Sequence, residues 1–290
     1  MNTEKKISRL EMLFKTKEGR RNLRNCLLAI LIAVIFLFPI YWMLQISFKT
    51  DKETFGKILT YFPHEFCIDP WLENLQDPDF LASVKNSFLN GFLTMAITLV
   101  LGVPAAYGMG RYQVKGRNGF LLIFLVTQML PASLMLTPMY LVFSKLGLLG
   151  THFSAPIAIA AGSIPFAVIT LRPYFRSVPV SLDEAARVDG CGPYRAFFQI
   201  MIPTVKTGII TIVVISFLNG WNDLLYSMTF NTQASMRPLT ANIYKFQSKY
   251  GTKWNCIMAY GSILALPVII MFIFLQKYIV GGMTAGAVKE

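Results

Sequence analysis

Recognisable catalytic motifs are absent from this sequence, and charge is confined largely to the connections between its apolar runs. It has two histidines, His64 and His152, and each stands alone in a polar connection. No H-E-x-x-H or G-x-S-x-G pattern occurs, so neither a zinc-bound water nor an activated serine has a carrier. No glycine-rich loop ends in Gly-Lys-Ser/Thr: Gly56-Lys57 runs on into Ile58, which leaves the chain without a phosphate loop for ATP. The four cysteines, Cys26, Cys67, Cys191 and Cys256, lack C-x-x-C spacing and a histidine cluster, so no metal site is predicted. A formal charge of +12 raises the question of nucleic acid, but the basic residues flank long uncharged runs instead of interleaving with readable polar surface.

What is present is apolar. Only 14% of the 290 residues are charged and 54% are hydrophobic, with 23 Phe and 14 Met. Six runs are long enough to cross a hydrocarbon core, which takes about 20 helical residues. They lie near Leu27 to Ile46, Ser87 to Gly108, Gly119 to Phe143, Ala155 to Leu171, Gly208 to Met228 and Ala259 to Gln276. Lipid offers no partners to open backbone groups, so all six are expected as helices and the fold class is an all-α membrane protein. The first run lacks a small-x-small cleavage site behind it and is read as a retained helix. Pro131 and Pro138 within the third run predict a broken or strongly kinked helix.

Eighteen of the 27 Lys and Arg fall on one side of this arrangement if the N-terminus is inside. The positive-inside rule therefore places both termini in the cytoplasm. Residues 1–26 form a basic cytoplasmic segment carrying Lys5, Lys6, Arg9, Lys15, Lys17, Arg20, Arg21 and Arg24. With Ile7, Leu10 and Phe14 on one side, it reads either as a helix lying on the anionic inner leaflet or as a solvated anchor. The membrane domain then spans residues 27–280, and residues 281–290 form a cytoplasmic tail.

The first outer loop, Ser47 to Lys85, is acidic and turn-rich and reads as a compact surface loop. The last, residues 229–258, carries Arg237, Lys245, Lys249 and Lys253 and no acid, a pattern suited to an acidic partner or to plain solvation. Cys67 and Cys256 fall in these two outer loops, which permits a disulfide; free thiols are the other reading. Asp223 is expected near the outer interface or facing a wet interior, because a carboxylate at the bilayer centre costs about 2.5–3.5 kcal/mol, and Trp221 beside it, read as an interfacial residue, favours the first placement.

Residues 181–203, SLDEAARVDGCGPYRAFFQIMIP, interrupt the apolar pattern on the cytoplasmic side. Ser181 followed by Glu184 matches a capping box and predicts a helix start. Gly190 and Gly192 tolerate φ > 0, Pro193 suits the first residue of a second helix, Phe197, Ile200 and Met201 share an apolar face, and Pro203 ends it. A cytoplasmic helical loop with no phosphate loop of its own suggests a membrane subunit driven by something else. No selectivity filter, charge ring or set of buried ionisable residues points to a channel or a secondary transporter.

The spacing Glu184-Ala185-Ala186, Gly190, Ile200, Ile202-Pro203, with Asp189 and Phe197, resembles the EAA loop of permease subunits in binding-protein-dependent ABC importers. Trp221-Asn222-Asp223 and the chain end Gln276-Lys277-Tyr278 … Gly282-Met283-Thr284-Ala285-Gly286-Ala287-Val288-Lys289 are similar to the carbohydrate-uptake branch, the maltose-type second permease in particular. Cys191 stands where that family usually has Ala, and Ile202 where Leu is common.

The resemblance implies a bacterial inner-membrane, six-helix permease that imports a sugar or oligosaccharide. It also implies the partners: a second permease, two ABC ATPase subunits that use ATP and Mg, and an extracytoplasmic solute-binding protein. This chain would bind no cofactor and no metal and would catalyse nothing. Glu184, Ala185, Ala186, Asp189 and Gly190 would form the coupling helix that docks in an ATPase cleft. Thr284, Ala285, Gly286 and Lys289 would extend into the ATPase interface, and residues 229–258 would reach the binding protein through Arg237, Lys245, Lys249 and Lys253. By residue type Asn219, Trp221, Asn222 and Asp223 are candidates for the sugar path. Glycerol 3-phosphate as the solute, or an ATP-independent secondary transporter, are the alternatives.

Overall fold

The computed structural model describes residues 17–248 and 251–285 and divides into two compact units. The basic segment before Lys17, including Ile7, Leu10 and Phe14, lies outside the described residues.

The first unit is Met1–Asn74 with Lys249–Ser262. Its helices are α1 (Lys17–Ser47), α2 (Asp51–Thr54), most of α3 (Asp69–Leu75) and the first turns of a long C-terminal helix. Thr50 caps α2 by accepting the Glu53 N–H, the usual answer to an orphan donor at a helix start. The loop beyond is held by aromatic stacking of Phe48 on Phe66 and Trp71, by Lys49 donating to the Thr60 carbonyl at 2.6 Å, and by Asn74 donating to the Cys256 carbonyl at 3.1 Å. It is compact, as its composition predicts. The disulfide that its placement permits is not formed: Cys67 and Cys256 are both free thiols, and each lies near a carboxylate, Asp69 at 3.6 Å and Glu73 at 3.4 Å.

The second unit is Leu75–Ser248 with Ile263–Glu290. In chain order it contains α4 (Phe80–Arg111), α5 (Arg117–Met129), α6 (Ala132–Lys145), α7 (Ser154–Ser177), α8 (Val180–Val188), α9 (Pro193–Thr204), α10 (Lys206–Trp221), α11 (Leu225–Phe230) and α12 (Leu239–Asn242). The last helix, α13 (Trp254–Ala285), begins in the first unit and continues here. Two two-residue strands, Gln247–Ser248 in this unit and Gly251–Thr252 in the first, are the β structure among the described residues.

Among the described residues four helices are long and apolar enough to cross a membrane, or up to six if each of two bent pairs counts as one span. The first pair is α5 and α6, bent by 105°. The break falls at Leu130-Pro131, as the paired prolines predict: Pro131 has no N–H to continue α5 and forces Leu130 into an extended conformation with ψ 124. Pro138 stays inside α6. The second pair is α9 and α10, bent by 82° at Val205. Here α9 contains a π-helical turn, Phe197–Met201, in which the Ile202 N–H bonds the Phe197 carbonyl. That wider turn accommodates the donor that Pro203 lacks, and it turns Phe197 and Met201 into the core.

The core lies where α4, α7 and α10 meet. Val103, Ala106, Val168, Leu171, Phe175, Met201, Val205 and Ile212 form its buried cluster. Small residues let the backbones approach: a Cβ on Gly220 would stand 2.5 Å from the Asn90 carbonyl oxygen, and one on Gly91 would meet the Phe217 ring at 2.7 Å. A smaller cluster of Phe143, Ala155, Ala158, Ile159, Tyr226 and Phe230 ties α6, α7 and α11 together.

Two sequence expectations are corrected here. The fifth apolar run, read as Gly208 to Met228, ends as a helix at Trp221, because Asn222 to Leu224 leave the helical register before α11 restarts. Trp221 is no interfacial anchor: it is fully buried, packs against Phe88 and Phe217, and donates Nε1 to the Leu264 carbonyl at 3.3 Å.

Candidate functional site

The turn between α8 and α9 is built by backbone hydrogen bonding. Gly190 adopts φ +74, the left-handed conformation a residue with a Cβ avoids, and the Cys191 N–H reaches back to the Ala186 carbonyl at 2.8 Å. That is the Schellman pattern, which satisfies a carbonyl the helix end would otherwise leave open. Gly192, at φ −67, is extended and starts α9 ahead of Pro193. The expected helix, turn and helix are all present. Its start differs: α8 begins at Val180, so Ser181 lies inside the first turn and is not the cap residue.

Side chains divide sharply along α8. Ala186 is buried against the bundle, while Glu184, Ala185 and Asp189 are exposed. The acid that anchors the helix is Asp183, which sequence reasoning passed over. Its carboxylate accepts from two nitrogens of Arg111, Nε at 2.9 Å and a closer one, while the third donates to the Val178 carbonyl at 2.7 Å. The pairing joins residues 72 apart, so no local pattern could announce it. Glu184, Arg111, Tyr107, Tyr112, Arg176 and Cys191 help to line a recess of about 430 Å³ beside this pair.

Deeper in the second unit, a cavity of about 330 Å³ opens where α5 breaks from α6. Asn219 on α10 donates to the Ser163 hydroxyl at 3.2 Å, and Gln128 near the end of α5 donates to the Gly162 carbonyl at 2.7 Å. Of the four residues predicted for a sugar path, Asn219 alone lines this cavity. Trp221 is in the core, Asn222 is exposed elsewhere, and Asp223 is the cap of α11, accepting from the Ser227 N–H at 2.8 Å, the Ser227 hydroxyl at 2.7 Å and the Tyr226 N–H at 3.3 Å. Gln128 and Ser163 are new, and their signal was available: an amide and a hydroxyl inside otherwise apolar runs.

A second missed feature runs along α4. Ser83, Ser87, Asn90, Thr94 and Thr98 recur at helical spacing and are buried. The first three bind α11 and the last loop: Ser83 accepts from Asn242 at 2.9 Å, Ser87 from the Leu239 N–H at 2.9 Å, and Asn90 donates to Ser227 of α11 at 3.0 Å.

In that loop Lys245 pairs with Asp77, and Lys253 donates to Glu73 at 2.6 Å. The hydrogen bond to Glu73 holds the Lys253 ammonium above its ordinary pKa. Arg237 gives its carbonyl to Asn86 at 3.2 Å, and its guanidinium forms no ion pair among the described residues. Lys249 lies outside the described residues, as do Gly286 and Lys289; Thr284 and Ala285 fall in the last turn of α13, which carries the helix past the boundary at 281 expected for the tail. No group of three His, Cys, Asp or Glu placed to hold a metal occurs among the described residues.

These elements define a polytopic helical membrane protein with an exposed helical loop between α8 and α9. The chain belongs to the family of binding-protein-dependent transport system inner membrane components, whose model matches residues 80–285. It is 31% identical to the trehalose/maltose transport system permease protein MalG of Thermococcus litoralis, over 90% of this chain and 94% of that protein. It is 29% identical to the diacetylchitobiose uptake system permease protein DasC of Streptomyces coelicolor, over 90% of this chain and 95% of that protein. Its fold matches the crystal structure of a bacterial ABC transporter involved in import of the acidic polysaccharide alginate, with a TM-score of 0.78 at 24% identity, covering 92% of this chain and 99% of that one.

Proposed function

We propose that this chain is the permease subunit of an ATP-driven ABC importer that moves a sugar or oligosaccharide delivered by an extracytoplasmic binding protein. The observation that carries the reading is the loop from Val180 to Thr204. A helix locked to the bundle by Asp183 and Ala186 leaves Glu184, Ala185, Asp189, Val188 and Tyr194 exposed, the last two with 86% and 84% of their surface uncovered. Large apolar side chains this bare beside a capped helix favour a protein partner. The named relatives transport saccharides, which supports a sugar as the solute.

The partners in this reading are a second permease, two ATPase subunits and the binding protein. ATP and Mg belong to the ATPases, and this subunit carries out no chemistry. Glu184, Ala185, Ala186, Asp189 and Gly190 make the coupling contact, and Thr284, Ala285, Gly286 and Lys289 extend it. Residues 1–26 and 281–290 are cytoplasmic, flanking a membrane domain over residues 27–280, an orientation supported by 18 of 27 basic residues on that side. Residues 229–258 face the binding protein.

The test is uptake by proteoliposomes containing the complex that co-purifies in mild detergent, with binding protein and radiolabelled sugars outside. Uptake is expected to need internal ATP and to ignore ionophores. Uptake that survives ATP depletion and collapses with the ion gradient would instead identify a secondary transporter, and uptake of glycerol 3-phosphate alone would change the solute.

A further inference from the structure

We propose that the cavity bounded by α5, α6, α7 and α10 is a subsite for an uncharged, hydroxyl-rich solute, read by Gln128, Ser163 and Asn219. The inference rests on the sugar-import reading and specifies both the residues and the charge of what passes.

Three observations converge on it. The first is the placement of two carboxamides. Gln128 and Asn219 are exposed within helices otherwise suited to lipid, on different helices, and both open into the same space. A polar group with no partner in hydrocarbon is costly, so such residues face water, protein or a polar ligand. Each uses one amide hydrogen on the wall, Gln128 on the Gly162 carbonyl and Asn219 on the Ser163 hydroxyl. Their amide oxygens and remaining N–H groups stay available to a ligand, and together they supply both donors and acceptors, as hydroxyl groups require.

The second is the backbone. Thr127, Leu130 and Ala132, at the 105° break between α5 and α6, line the cavity. A broken helix at membrane depth leaves carbonyls without partners in the following turn, and such backbone is tolerated where it borders protein or a wet space.

The third is charge. Every lining residue is neutral. Asp223, the nearest acid in sequence, is occupied in capping α11. A phosphate or carboxylate entering here would shed water without meeting a cation, which disfavours anionic solutes. Met135, Met139 and Tyr226 offer adaptable apolar surface to the C–H face of a sugar ring. A volume of about 330 Å³ lies at the small end of ligand pockets and suits a small saccharide or one part of a longer one.

The experiment uses the whole complex in proteoliposomes, with maltose, trehalose and diacetylchitobiose as neutral probes and glycerol 3-phosphate as the anionic one. Gln128→Leu and Asn219→Leu should each lower uptake of the neutral probe by about tenfold. ATP hydrolysis stimulated by loaded binding protein and co-purification of all subunits should be retained. Gly162→Trp provides a second route: a Cβ there meets nothing within 4 Å, so the ring enters the cavity and should block uptake. Gly119→Trp, equally open but remote from the cavity, should not. Unchanged uptake in the Leu variants and in Gly162→Trp overturns the subsite. Loss of the second permease from the purified complex would make this face a subunit contact and also overturns it. Wild-type complex that carries glycerol 3-phosphate and none of the neutral probes refutes the sugar-import reading itself.

Discussion

Arg111, the last residue of α4, and Asp183, in the first turn of α8, form a largely buried ion pair in which both guanidinium nitrogens on one edge meet a single carboxylate oxygen. Their side chains are 8% and 21% exposed. Removing one partner from such a pair strands the other charge, which costs about 3–5 kcal/mol when burial is complete and less here, where water still reaches Asp183. Arg111→Ala should therefore loosen α8 and sharply reduce sugar transported per ATP hydrolysed. The exchange of Arg111→Asp with Asp183→Arg should recover part of the loss. Uptake and phosphate release measured in the same vesicles check this, and a double variant no better than either single one would show that the pair has no such role.

Gly190 and Gly192 separate conformational need from mere proximity. At φ +74 a non-glycine residue costs about 1–2 kcal/mol, and Gly190→Ala should show that cost as weaker coupling of ATP hydrolysis to the loaded binding protein. Gly192, at φ −67, can accept alanine with little change. Stimulated ATPase rates of the two variants give the comparison.

Gly220 faces a harder limit. Its Cβ would lie 2.5 Å from the Asn90 carbonyl oxygen, so Gly220→Ala must push α10 from α4. Overpacking of this kind costs about 1–3 kcal/mol. The melting temperature of the purified complex, followed by size-exclusion fluorescence, should fall for Gly220→Ala and stay unchanged for Gly162→Ala.

The basic residues of the last loop should not be equivalent. Lys245 and Lys253 already hold Asp77 and Glu73, whereas Arg237 pairs with no acid among the described residues. Arg237→Glu is expected to weaken binding-protein association at low salt, with the difference shrinking as salt screens it. Lys253→Ala, in a half-exposed pair worth at most about 1 kcal/mol, should change neither affinity nor stability appreciably. Surface-immobilised binding measured at two ionic strengths distinguishes them.

Features written in one stretch of chain were legible before the structure. The apolar runs, the break near Pro131 and the helix, turn and helix around Gly190 each follow from local chemistry: run length, a missing N–H, an absent Cβ. What depended on the packing of distant segments was not. Asp183 looked like a bystander beside Glu184 because its partner is 72 residues away. Trp221 resembled an interfacial anchor because an indole next to an acid often is one, and only the packing of α4 against α10 reveals it as core. The Ser and Thr stripe of α4 was visible as a period within an apolar run, but its meaning required the last loop to be folded onto it.

That stripe and the Arg111 pair sit at opposite ends of one helix. With 32 residues at about 1.5 Å each, α4 is about 48 Å long. It is fastened to α8 by Arg111 and to the segment around Ser227 and Leu239 by Ser87 and Asn90, and no loop interrupts it. The two attachments therefore lie on one continuous helix with Pro104 inside it, so a tilt of α4 as a single body would displace Asp183 and Leu239 together, and a bend at Pro104 would separate them.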